Sequence, residues 1–251
     1  MRSLMMQLRP ENLGDIMVGI SLFRPGPMSK IPDYIAGKNN RENVRYADKI
    51  LEKSLGDTYG CMVYQEQVME IVRDMAGYSL GRSDLVRRAM AKKKKDVMER
   101  ERHVFIYGED DVNGALKRGV SKKAATEVFD QMMDFAQYAF NKSHACAYAV
   151  VSYQTAWLKC YYEPEFMTAL LNSFISNSDK LAHYMRYVKR RGIKLLPPDV
   201  NKSGAKFTVE NGGIRFGLAA LRQIGGAIDG LIKERENGDF IDLEDCISRT
   251  V

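Results

Sequence analysis

Cysteine is scarce in this chain. There are four in 251 residues, Cys61, Cys146, Cys160 and Cys246, and no two stand at a Cys-x-x-Cys spacing. That argues against a disulfide framework and a zinc site, and for reduced thiols. No apolar run reaches the roughly 20 residues needed to cross a bilayer, and no leader of basic-then-apolar pattern is visible. The expected location is cytoplasmic, with no membrane partner. Internal repeats are missing too. The acids Glu109, Asp110 and Asp111 lack the spacing of an EF-hand, so their loop is not read as a calcium site. No nucleophile lies at a recognisable spacing from a base and an orienting acid. No catalytic or metal-ligating residue is therefore assigned.

What is present is the composition of a globular chain, 45% apolar and 28% charged, long enough for one large domain or two small ones. The net charge of +6 is modest; its placement is more telling. Residues 82–102 hold nine Lys or Arg against four acids, and residues 186–194 hold Arg186, Lys189, Arg190, Arg191 and Lys194 without an acid. Such clusters suit a polyanion, although each alone also reads as a solvated helix face.

The densest stretch is Phe140–Lys159, FNKSHACAYAVVSYQTAWLK. Asn141, His144, Tyr148, Ser152 and Thr155 recur at steps of three and four, which puts them on one face of a helix. The opposite flank is small and aliphatic, so the helix is expected to enter a core. Asn141, Lys142, Ser143 and His144 crowd its start, where exposed N–H groups favour an anion. A hydrogen-bonded core histidine is the competing reading of His144.

Elsewhere the periodicity predicts helices over 2–8, 62–78, 96–107, 121–137, 164–173, 179–191, 227–236 and 242–249, with another from Ser83 as its N-cap, and 15–22 is a second apolar stretch. Glu66 suits the first turn of the 62–78 helix. Phe23-Arg24-Pro25-Gly26-Pro27-Met28 cannot be helical and is a stiff turn that carries a charge, Arg24. Arg87 and Arg88 are adjacent, so their directions diverge by about 100° and both reach one target only around a helix end. Asn211-Gly212 between two β-prone runs predicts a hairpin. The fold class is mainly α: a helical body followed by a small α+β appendage with one hairpin.

FRPGPM at 23–28, YGCMVYQEQVM at 59–69, AGYSLGRSDLVRRAMAKKK at 76–94, NKSHACAYAVVSYQTAWLK at 141–159 and LPPDVNKS at 196–203 resemble, in order, blocks of the C-family DNA polymerases, the bacterial replicative DNA polymerase III alpha subunits. The resemblance covers nearly the whole chain. It implies the end of the palm at 1–22, a helical fingers domain at 23–192, and a segment at 193–251 leading towards a helix-hairpin-helix-like region. It assigns contact with the incoming deoxynucleoside triphosphate to Arg87, Arg88, Asn141, Lys142, Ser143, His144 and Tyr148. It suggests primer–template contact at Arg24, Lys92, Lys93, Lys94, Arg190 and Arg191. Magnesium would be held by palm carboxylates outside this chain, so the chain alone is expected to be inactive. The sliding clamp and other replicase subunits would meet regions outside it. Both ends read as cut from something longer. Ala91, Cys146, the proline of KCYYEPEF and Ile224-Gly225-Gly226 depart from the family pattern. A non-catalytic helical nucleic-acid-binding module is the alternative function.

Overall fold

The computed structural model describes residues 1–92, 95–109, 111–135 and 138–250, and for residues 90, 91 and 95 the backbone alone. The chain forms two compact units, Met1–Tyr153 and Gln154–Val251.

In the first unit, α1 (Arg2–Leu8), α2 (Leu13–Leu22) and α3 (Ile31–Asn39) surround one core. Leu8, Val18, Leu22, Tyr34, Val63, Tyr64 and Phe140 fill it. Asn12 caps α2 by accepting the Asp15 N–H at 3.0 Å. Asp15 is itself buried and fully bonded. Its carboxylate accepts from the Glu11 N–H, the Tyr34 hydroxyl and the Lys38 ammonium, the last at 2.7 Å. Lys38 also donates to the carbonyls of Leu8 and Arg9. A buried ion pair survives only when its remaining valences are met this way.

The second core lies among α4 (Glu52–Leu55), α5 (Gln65–Ala76), α6 (Leu80–Ala91), α7 (Lys95–Tyr107) and α8 (Lys122–Phe135). Ile71, Val72, Met75, Phe105, Phe129 and Met132 form its centre. α5 stops at Gly77, whose φ of 79° makes the left-handed cap that glycine adopts without strain. α6 starts earlier than the spacing predicts. Ser79, not Ser83, receives an N–H of the first turn, from Arg82. Ser83 lies buried inside the helix and returns its hydroxyl to the Leu80 carbonyl. Both serines suit a cap, and with Ser83 buried inside the helix the cap falls to Ser79.

α9 (Lys142–Tyr161) departs from its expected burial. Only Ala145 and Ala149 are buried along it; Val150, Val151, Trp157 and Leu158 are exposed. Helical period dictates which residues share a face, but not whether another element covers that face.

The second unit contains α10 (Glu163–Ser173), α11 (Ser178–Arg190), α12 (Ala227–Glu234), α13 (Leu243–Thr250) and a small sheet. β2 (Thr208–Glu210) pairs antiparallel with β3 (Gly213–Arg215), and β1 (Leu195–Leu196) pairs parallel with β3. The turn between β2 and β3 has positive φ at Asn211 and Gly212, the pattern that matches strand twist. Met167, Leu171, Val188, Phe207 and Ile214 form the core beneath. Two asparagines hold this unit by the same device. Asn172 exchanges two hydrogen bonds with the backbone of Phe207, at 2.9 and 2.8 Å. Asn201 does so with Phe240, at 2.9 and 2.9 Å. An amide side chain thereby stands in for a neighbouring strand.

Candidate functional site

The dipeptide Gln65-Glu66 at the start of α5 meets three other segments of the first unit. Its backbone pairs with the approach to α9, with the Gln65 N–H on the Phe140 carbonyl at 2.9 Å. The Gln65 side-chain amide donates to the Ala139 carbonyl, and its oxygen accepts from Arg87 Nη1 at 3.1 Å. Glu66 reaches the start of α9, where its carboxylate accepts from the Asn141 amide and the Lys142 N–H. Asn141 in turn accepts the His144 N–H at 2.8 Å, as an N-cap does.

This changes what the start of α9 offers. The Lys142 and His144 N–H groups, two of the first three of the helix, are bonded within the protein. The anion that the helix dipole favours there is already supplied by Glu66. Side chains, more than backbone donors, are what remain for a ligand. Lys142, Ser143 and His144 are exposed. Lys142 Nζ lies 5.6 Å from the centre of the Tyr64 ring.

The arginines converge on one acid inside α6, Asp84, and not around a helix end as their divergence predicts. Asp84 lies three and four residues before them on α6, the spacing that brings side chains together. Its Oδ1 accepts from Arg87 Nε and Nη2 at 2.8 and 2.6 Å, and its Oδ2 from Arg88 Nε at 2.6 Å. The Arg87 bonds, then the nearby charges of both arginines, hold the Asp84 carboxyl below the ordinary carboxylate range. The two arginines then differ. Arg87 is 28% exposed and engages three of its nitrogens with Asp84 and Gln65. Arg88 is 64% exposed and meets Asp84 through Nε.

A row of rings runs from the buried Phe140 onto the exposed His144 and Tyr148 of α9. Phe140, His144 and Tyr148 follow at steps of four, with centroids 5.4 and 4.6 Å apart. Arg24 caps this row, its guanidinium 4.5 Å from the centre of the Phe140 ring. Gly26 seats that loop: its φ is 103°, and a Cβ there would overlap the Tyr138 ring. The glycine of FRPGPM is thus needed for both its conformation and its lack of a side chain.

The structure therefore brings Arg87, Asn141, Lys142, Ser143 and His144 to one bonded region, with Arg88 beside Arg87 and Arg24 and Tyr148 along the ring row. Lys92 is exposed; Lys93 and Lys94 lie outside the described residues. Arg190 and Arg191 belong to the second unit, and the Arg191 fork is closed on Glu163 at 2.8 and 3.1 Å. Gln65 and Phe140 escaped the sequence reading because their roles rest on contacts over 74 and 116 residues. Asp84 was findable from helical spacing alone. A cavity of about 710 Å³, lined by residues including Lys30, Asp33, Tyr46, Cys61 and Tyr138, contains none of the candidate ligand contacts. Burial, then the nearby Asp33 charge, pushes the Cys61 thiol up to about 11.

Residues 1–113 match the family model for the bacterial DNA polymerase III alpha subunit finger domain, and residues 192–251 match a helix-hairpin-helix motif. The first match includes residues 1–22. The DNA polymerase III subunit alpha of Bacillus subtilis is 46% identical over 250 residues, covering 99% of this chain and 22% of that protein. That of Thermus aquaticus is 46% identical over 249 residues, covering 96% and 20%. That of Borreliella burgdorferi is 41% identical over 251 residues, covering 99% and 21%. The chain spans about a fifth of the length of these relatives. Motif order, helical architecture and these matches agree: the chain belongs to the bacterial DNA polymerase III alpha subunit family and corresponds to a segment bearing its finger domain and a helix-hairpin-helix motif.

Proposed function

We propose that this chain is the part of a replicative DNA-directed DNA polymerase that binds the incoming deoxynucleoside triphosphate and helps hold primer–template DNA. The observation that carries the reading is the exposed Arg88 fork beside Arg87, with Gln65 bonding Arg87 to the approach to α9. Phosphoryl transfer needs cations aimed at phosphate oxygens, and an arginine fork meets two of them at once. Lys142 adds a mobile charge. The His144 and Tyr148 rings offer flat surfaces for a sugar or base. Arg24, Lys92 and Arg190 are exposed cations suited to the nucleic-acid backbone, and the helix-hairpin-helix match adds a DNA-binding motif.

Magnesium, which would neutralise phosphate charge in the polymerase reaction, finds no fitting donor set here. Among the described residues no group of three or more His, Cys, Asp or Glu side chains could hold a metal ion. Asp84 is engaged by two arginines and Glu66 by α9. In this reading the ions are placed by palm carboxylates outside these 251 residues, and the chain alone does not polymerise. The sliding clamp and other replicase subunits meet other regions, in the cytoplasm.

The test is Arg88→Ala in a complete polymerase carrying this segment. Incorporation should fall while binding to primer–template changes little. An equal loss of both would favour a plain nucleic-acid-binding module, whose binding would also fall steeply with salt.

A further inference from the structure

We infer that Gln65 and Glu66 are positioning residues for the triphosphate site, a role that rests on the proposed function above. A carboxylate beside a site for a polyanion is electrostatically unfavourable, since like charges repel across such distances. Glu66 stands beside Lys142 and His144 all the same, with its carboxylate fixed by the Lys142 N–H at 3.0 Å and the Asn141 amide at 3.2 Å. Its geometry accounts for its presence. It fixes where α9 begins, and hence where the Lys142 and His144 side chains leave the helix.

Gln65 does the matching task for α6. Its oxygen holds Arg87 Nη1, while its amide and backbone N–H hold residues 139 and 140. Arg87 then holds Asp84, and Asp84 holds Arg88. The third residue of the run, Gln67, anchors the other two. It is buried, accepts the N–H groups of Val63 and Tyr64 at 2.8 and 2.9 Å, and donates to the Ser54 carbonyl and the Thr58 hydroxyl. Gln65-Glu66-Gln67 is therefore one rigid bracket. One end grips the core, and two half-buried tips set the α6 arginines and the α9 side chains in register. Supporting hydrogen bonds of this kind decide whether a binding group sits within a fraction of an ångström of its target.

Steady-state incorporation by a complete polymerase carrying this segment tests the bracket, using Gln65→Ala, Glu66→Ala, Glu66→Gln and Arg88→Ala. At temperatures well below each variant's melting point, Gln65→Ala and Glu66→Ala should each raise the KM for deoxynucleoside triphosphate about tenfold, at the low end for loss of a supporting hydrogen-bond partner. The kcat should change by less than about twofold, as expected when binding geometry alone is lost. Glu66→Gln keeps an acceptor for the Lys142 N–H and should recover part of the loss although it removes the charge. If Glu66 acted only as a charge, both Glu66 variants would lower the KM; that result overturns the inference, as does an unchanged KM. Arg88→Ala separates this failure from that of the parent reading. A normal KM in Arg88→Ala means that the triphosphate site is misplaced. A raised KM there with normal values in Gln65→Ala and Glu66→Ala removes only the bracket.

Discussion

Glu66 accepts the backbone N–H of Lys142 through both carboxylate oxygens, at 3.1 and 3.0 Å. Glu66 is also in the first turn of α5. One side chain thus offers its negative charge to the positive ends of two helices, α5 and α9. It also joins segments 76 positions apart. The surface chemistry at the start of α9 follows from that contact, because the N–H group most available to an incoming anion is taken.

The arginine pair should show unequal roles. Arg88→Ala removes an exposed guanidinium that, in the proposed site, meets the phosphates. A charge-assisted bond of this kind contributes roughly 1.5–3 kcal/mol, or about ten- to over a hundredfold in incorporation at 1.36 kcal/mol per decade. Arg88→Lys should recover little of it, since an ammonium cannot reproduce a two-point contact. Single-turnover incorporation by the complete polymerase, set against primer–template anisotropy, measures both effects.

The Asp15–Lys38 pair should make the first unit acid-sensitive. Burial acts to raise the Asp15 pKa, but the Glu11 N–H, the Lys38 ammonium and the Tyr34 hydroxyl together outweigh it, and the carboxyl titrates below its ordinary value. A group depressed on folding contributes its full stability above the unfolded pKa. It loses that contribution as pH falls through the folded value. Urea midpoints should therefore hold from pH 7 to about pH 5 and drop below about pH 4. Lys38→Met leaves a buried carboxylate unpaired and should cost about 3–5 kcal/mol at neutral pH, with a shallower loss in acid. Equal midpoints for the two proteins at pH 7 would refute the pair's importance.

Gly26→Ala should destabilise the FRPGPM loop twice over, through the positive φ and through the overlap with Tyr138. The conformational part alone is about 1 kcal/mol or more. Combining it with Tyr138→Ala should relieve the steric part only, so the two changes will be less than additive. Thermal or urea denaturation of the two single variants and the double variant gives the coupling. Strict additivity would mean that the ring is not what crowds Gly26.

In the second unit, Asn172→Ala should unbind both the N–H and the carbonyl of Phe207. Stranding such partly buried groups costs about 1–3 kcal/mol each. Asn172→Asp keeps the acceptor for the Phe207 N–H and loses the donor, so it should fall between. Hydrogen exchange at the Phe207 amide should speed up in Asn172→Ala and much less in Asn172→Asp. The same pair of substitutions at Asn201 should act at Phe240 and leave Phe207 protected.

Sequence by itself determined the local elements. α5 ends at Gly77, α11 is followed by Gly192, and the hairpin turns at Asn211-Gly212, because positive φ is a property of single residues and their neighbours. Ser121, where the predicted helix begins, caps α8 by accepting the Ala124 N–H. The helical character of the chain and the order of its motifs were legible for the same reason: period and punctuation are written over a few adjacent residues.

Tertiary structure decided the rest. Ser79 takes the cap expected of Ser83, because burial of Ser83 selects between two adequate caps. Along α9 only Ala145 and Ala149 are buried, since period sets which residues share a face and not how far that face is covered. The start of α9 is answered by Glu66, Arg87 by Gln65, and Arg24 by the Phe140 ring. Each of those contacts joins residues between 22 and 116 positions apart. No local pattern encodes such pairs; they exist only once packing has brought their elements within hydrogen-bonding distance.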